Sequence, residues 1–234
     1  MRSLAVAVLV ATVACSSGGS SAPAGGTGGS GAPRPIDAPE VAVDDQSRFD
    51  QERQPERLIA LLGIKPGMTV ADVGAGTGLL TVHVARAVYP GGQVVATDID
   101  AAVLEYLGAR LEAAGYDTVV EPRKVAATDP GLEAGRFDLI LLAQVDHYFD
   151  DRVAWLTKAV PALKPTGRIA ITNRMQHRAA VMAAAASVGL QVVTEVNDLP
   201  GQFVALFGRA PSAGKGPAPS PTSPASPTNR KGPP

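Results

Sequence analysis

Five short β-branched runs, separated by segments with helical spacing, constrain this chain more than any of its other features. They are TVADVGA (69–75), QVVATDI (93–99), TVVEPRKV (118–125), FDLILLAQ (137–144) and GRIAIT (167–172). Short and mostly apolar, they read as strands of a parallel sheet buried on both faces. Between them Leu80/Val84/Val88, Leu104/Leu107/Leu111 and Val153/Leu156/Val160/Leu163 recur at helical spacing, and Met182/Ala186 with Gly189 beyond marks a last helix. Pro55 in a first turn, Leu58 and Leu62 four apart, and Gly63 as a stop predict an opening helix over 54–62. Two further runs, 190–196 and 202–208, are joined only by NDLPG, too short for a crossover helix, so they must pair antiparallel at a sheet edge. Right-handed crossovers then give a doubly wound α/β sheet with a terminal hairpin.

Of the 234 residues, the two ends carry no such pattern. Residues 1–15 are Met-Arg-Ser, the uncharged run Leu4 to Ala14, and Cys15, the layout of an export signal. With the chain's one cysteine directly after the apolar run, the segment resembles a bacterial lipoprotein signal. That resemblance implies membrane attachment through a lipidated Cys15 on the periplasmic side of the cell envelope; if the signal is not used, the location is cytoplasmic. Residues 16–44 read as a Gly/Ser/Pro-rich disordered linker, 45–210 as the folded domain, and 211–234 as a Pro/Ser-rich disordered tail.

Lys plus Arg number 21 against 22 Asp plus Glu, so no excess of positive charge is available to hold a phosphate backbone, and no nucleic acid is expected as a partner. One cysteine excludes an intrachain disulfide and a cysteine-built metal site. The three histidines, 83, 147 and 177, leave little for a histidine centre; no metal is expected, and the domain is expected to be a monomer.

The sharpest chemical signal is Asp72-Val-Gly74-Ala75-Gly76-Thr-Gly78, between a predicted strand and a predicted helix. Glycines there let the backbone turn sharply and approach a ligand at a helix N-terminus. A dinucleotide fingerprint needs glycine where this chain has Leu79, and a P-loop needs lysine where it has Leu79-Leu80, so neither nucleotide motif fits. The pattern instead resembles motif I of class I S-adenosylmethionine-dependent methyltransferases. Thr97-Asp98-Ile99 closing the second strand, Phe137-Asp138 opening the fourth, Leu163-Lys164-Pro165-Thr166-Gly167-Arg168 before the fifth and the final hairpin agree with that family in order. The resemblance implies a Rossmann-like seven-stranded sheet, S-adenosyl-L-methionine as cofactor, and an unidentified methyl acceptor. It also implies cofactor contacts from Asp72, Gly74, Ala75, Gly76 and Gly78, from Asp98 to the ribose hydroxyls, and from Ile99 to adenine. Asp129 stands in for the acid or amide that many relatives place on the adenine amino group, and Gln144 adds a contact at the end of the fourth strand.

Past Gln144 come Val145-Asp146-His147-Tyr148-Phe149-Asp150-Asp151, at the carboxyl edge where open α/β sheets bind ligands. His147 is the candidate general base, since methyl transfer to a poor nucleophile needs a proton removed. Asp150 reads as the N-cap of the next helix, and His83 as a helix-surface residue. The pocket is expected to be covered by residues near 45–55, including Arg53-Gln54-Pro55. A competing reading is an exported, lipid-anchored binding or structural protein that retains the fold without turnover, since S-adenosylmethionine is made in the cytosol.

Overall fold

A computed structural model describes residues 38–197 and 199–210 of the chain, with side chains described from Gln46 onward. The signal-like segment with Cys15, the linker up to residue 37 and the tail from 211 lie outside the described residues. In order, the elements are α1 (Ala38–Arg53), α2 (Pro55–Leu62), β1 (Thr69–Val73), α3 (Thr81–Val88), β2 (Gln93–Asp98), α4 (Ala101–Ala114) and β3 (Val120–Lys124). They continue with β4 (Phe137–Ala143), α5 (Arg152–Ala159), β5 (Leu163–Arg174), α6 (Arg178–Ser187), β6 (Leu190–Val196) and β7 (Gln202–Arg209). Single 3₁₀ turns stand at Asp146–Tyr148, Val160–Ala162 and Met175–His177.

The seven strands form one sheet in the order β3-β2-β1-β4-β5-β7-β6. The first five run parallel, and β7 inserts antiparallel between β5 and the edge strand β6. This is the expected doubly wound sheet with its terminal hairpin. Alternation along each strand explains why both faces are covered. Val70, Leu139 and Leu141 pack with Leu58, Val84 and Leu107 on one side, while Ala71, Ile140 and Leu142 pack with Trp155, Leu156 and Val181 on the other. Each of the larger aliphatic side chains taken out of water contributes about 1.5–3 kcal/mol.

Three expectations are corrected. First, α1 begins at Ala38, inside the stretch read as linker. Pro39 suits a first turn, and no glycine or proline follows until Pro55, so nothing in the chain interrupts the helix. Second, α5 ends at Ala159 although apolar spacing continues to Leu163, because Pro161 cannot donate to a helical ladder; Val160 falls in a 3₁₀ turn and Leu163 opens β5. The N-cap of α5 is Asp151, whose carboxylate accepts from the Ala154 N–H at 2.9 Å, rather than Asp150. Third, His83 is buried. Its Nε2 lies 2.9 Å from Asp50 Oδ1 and 3.2 Å from Gln46 Nε2, both on α1. Residues 45–53 read as part of the domain but not as a helix, so the sequence identifies no partner for that face of α3.

Candidate active site

The glycine loop follows β1 and is anchored by two adjacent hydrogen bonds, from the N–H groups of Gly74 and Ala75 to the Thr97 carbonyl at 2.8 and 3.0 Å. Gly74 needs its left-handed φ of 68°, and a Cβ built there would stand 2.4 Å from Val145 Cγ2 in the loop after β4. Gly76, at φ 55°, differs: a Cβ there meets nothing within 4 Å, so the bare backbone faces open space. Its N–H donates to Asp98 Oδ2 at 2.9 Å, and Asp98 Oδ1 accepts from the Asp100 N–H at 3.1 Å. Asp98 thus sits at the end of β2 as expected, tied to the loop it would share a ligand with. The neighbouring Ile99 is 58% exposed, presenting an apolar side chain beside that carboxylate.

A cavity of about 270 Å³ opens between the loop, the ends of β4 and β5, the α1–α2 corner and the β6–β7 turn. Its lining includes Asp72, Gly74, Ala75, Gly76 and Gln144 from the expected set. Asp72 is 2% exposed and accepts from Thr81 Oγ1 at 2.8 Å. Burial pushes its carboxyl up to about 6, against the Thr81 hydrogen bond and with help from the Asp98 charge. Gln144 holds φ 57°, rare for a residue with a side chain. Its N–H donates to the Thr172 carbonyl at 2.8 Å and its Nε2 to Gln202 Oε1 at 2.9 Å.

Gly78, Asp98, Ile99, Asp129 and His147 are not in that lining. Gly78 serves packing, since a Cβ at its φ of 83° would press to 2.9 Å on Leu107 Cγ of α4. Asp129 is exposed and accepts from the Gly131 N–H at 3.0 Å, in a loop that begins beside Asp98 through the Val125 N–H to Asp98 carbonyl bond. Phe49 and Arg53 of α1 do cover the cavity, as expected of residues near 45–55. Leu199, Gln202 and Thr172 are lining residues that the sequence reading did not single out. Topology could have found the first two. Because β6 runs parallel to β5, the NDLPG turn must lie at the same carboxyl edge as the glycine loop, which the pairing of Arg174 with Gln202 confirms.

His147 sits in a different setting from the one expected. Asp146, 1% exposed, accepts from Arg152 Nε at 2.8 Å and from Asn173 Nδ2 at 2.6 Å. Asn173 Oδ1 accepts from the Arg174 N–H at 2.7 Å, and Nδ2 lies 3.0 Å from His147 Nδ1. A carboxylate that can only accept and a backbone N–H that can only donate fix the Asn173 amide, so its remaining N–H points at His147. His147 Nδ1 must then accept, and the ring proton resides on Nε2. The ring stacks on His177 with centroids 4.9 Å apart, and burial, followed by the His177 charge, lowers its pKa below the ordinary histidine value, with Asp146 opposing. As held, His147 offers Nε2 as a donor, and it takes up a proton only where the Asn173 contact at Nδ1 opens. Nitrogen-15 NMR of the imidazoles should find His147 neutral at pH 7 with its proton on Nε2; a proton on Nδ1 would contradict this assignment.

Residues 71–169 match the family described as a methyltransferase domain. Among curated proteins, the chain is 34% identical over 117 residues to a nocamycin O-methyltransferase of Saccharothrix syringae, covering 50% of this chain and 41% of that protein. It is 32% identical over 109 residues to a ubiquinone/menaquinone biosynthesis C-methyltransferase of Idiomarina loihiensis, covering 47% and 43%. The chain spans less than half the length of these curated relatives. Among solved structures, the fold matches a SAM-dependent methyltransferase from Aquifex aeolicus with TM-score 0.65 and 23% identity, over 71% of this chain and 95% of that one. It also matches the cyclase SpnF, with TM-score 0.55 and 16% identity, over 62% and 60%. The fold is therefore that of the S-adenosylmethionine-dependent methyltransferases, a fold that also carries other chemistry.

Proposed function

We propose that this chain is a class I S-adenosylmethionine-dependent methyltransferase that transfers a methyl group to a small acceptor bound over the ends of β4 and β5. The observation that carries this reading is the juxtaposition of Gly76 and Asp98. A backbone with open space where a Cβ would stand is joined to a carboxylate whose oxygens retain lone pairs for a vicinal diol. The residues fit the cofactor: Asp98 takes the ribose, Ile99 covers adenine, Asp129 lies on the adenine side, and the loop from Gly74 to Gly78 follows the chain toward the cavity. Bound there, S-adenosylmethionine supplies an electrophilic methyl on a positively charged sulfur. The protein's own contribution is positioning and exclusion of water, through Phe49, Leu58 and Leu199 around the cavity. His147, outside the cavity lining and held at Nδ1 by Asn173, is the proposed base for an acceptor that must lose a proton, whereas an acceptor already nucleophilic at neutral pH needs none. The cell envelope, through Cys15, is the proposed location, and the monomer the proposed state.

Asp72 supports the reading through its charge. A ligand bearing ammonium and sulfonium groups favours the ionised carboxylate, whereas the free protein holds its proton below about pH 6. Affinity should therefore be flat above pH 6 and weaken by up to about tenfold per unit below it. Asp72→Asn should flatten that profile, and a wild-type profile flat from pH 7 to 5 would remove Asp72 from the binding account.

The competing reading is a domain that keeps the fold and binds its ligand without turnover. Methyl-labelled S-adenosylmethionine incubated with the chain and an extract of its own cells separates the two. With the extract heat-treated to inactivate its own enzymes and the cofactor kept scarce, label should pass to a product with the wild type and much less with Asp98→Ala; no label above that of extract alone would reject the proposed transfer.

A further inference from the structure

Two charged side chains line the cavity, Asp72 from the sheet and Arg53 from α1, and they do not pair with each other. Asp72 is engaged by the Thr81 hydroxyl. Arg53 Nη1 donates instead to the neutral Gln202 Oε1, at a long 3.4 Å. Gln202 Oε1 is in turn fixed by Gln144 Nε2 at 2.9 Å, and Gln144 is locked at its unusual φ by the Thr172 carbonyl. A guanidinium lining the cavity is thereby met by one amide, itself held by a second, and left without a carboxylate partner among the described residues. Burial lowers its pKa; Glu52, exposed, opposes, and the nearby charge of Arg174 lowers it further. A half-desolvated cation beside a second cation is costly until an anion joins it.

We propose that Arg53 is a carboxylate anchor, holding an anionic group of a ligand within the cavity while Gln202 and Gln144 set the angle of its fork. The chemistry is a guanidinium–carboxylate pair, two parallel N–H donors on two oxygens. The carboxylate has two sources, the amino-acid end of the cofactor or the methyl acceptor itself, and in either case the inference rests on the methyltransferase reading. In the first case Asp72 and Arg53 together match an amino-acid zwitterion. In the second, Arg53 and Arg174 select an acidic acceptor.

Calorimetric titration of the full chain, wild type and Arg53→Met, distinguishes these cases. The probes are S-adenosylhomocysteine, 5′-methylthioadenosine, which lacks the amino-acid end, and benzoate added to protein saturated with methylthioadenosine. If the cofactor supplies the carboxylate, Arg53→Met weakens S-adenosylhomocysteine tenfold or more and leaves methylthioadenosine unchanged. If the acceptor supplies it, both nucleosides bind the variant normally, and benzoate binds the wild type but not the variant. Arg53→Lys should recover part of either loss, and Arg53→Gln takes the place of the methionine variant if that one does not fold. A variant that matches the wild type toward all three probes overturns the anchor. Failure of the wild type to bind either nucleoside defeats the methyltransferase reading instead, and benzoate titrated without nucleoside then decides Arg53 on its own.

Discussion

Gly74→Ala is expected to destabilise the folded chain by about 2–5 kcal/mol, as the sum of two separate costs. The backbone holds φ 68°, where a side chain costs roughly 1–2 kcal/mol. The new methyl would also stand 2.4 Å from Val145 Cγ2, and relieving that overlap costs about 1–3 kcal/mol more. Rotating Val145 does not remove the overlap, because its Cβ would itself stand 2.9 Å from the new methyl. Gly76→Ala is the internal comparison. It has a similar φ of 55° but nothing within 4 Å, so only the backbone cost applies. Its methyl instead enters the space a ligand would occupy, and its main effect should be on binding. Thermal melts that rank Gly76→Ala as the more damaging to stability would contradict this account of the loop.

Asp98→Ala is expected to weaken binding of S-adenosylhomocysteine by about 1.5–3 kcal/mol, the scale of a hydrogen bond to a charged group. The structure adds a second route to the loss, since Asp98 Oδ2 also holds the Gly76 N–H. Asp98→Asn separates the two, keeping one oxygen for the loop or the diol but not the charge, and should fall between alanine and the parent. Equal affinity of Asp98→Ala and the wild type would sink the ribose assignment.

Much of this was legible in the chain because a buried parallel strand leaves a dense local signature. The strands 137–144 and 190–196, for example, were placed to within a residue at each end by their apolar runs alone. The glycine loop was legible for a related reason: its conformation and close packing exclude other residues, so geometry is written directly in the letters. What failed depended on partners distant in sequence. His83 reads as a surface residue until α1 covers it through Gln46 and Asp50. Nor could the tautomer of His147 be read, because it is set by Asn173, 26 positions away, which is itself fixed by Asp146 and the Arg174 backbone. Arg53 was anticipated as a cover for the pocket, but its partner Gln202 is 149 positions away, and no local pattern links the two.

The most direct test of the central claim is calorimetric titration of the full chain with S-adenosylhomocysteine at pH 7.5, above the Asp72 transition near pH 6. One saturable site per chain, weakened tenfold or more by Asp98→Ala, is the predicted result. Absence of saturable binding by a wild-type chain that melts cooperatively would contradict the claim, leaving a domain with the methyltransferase fold and a different ligand.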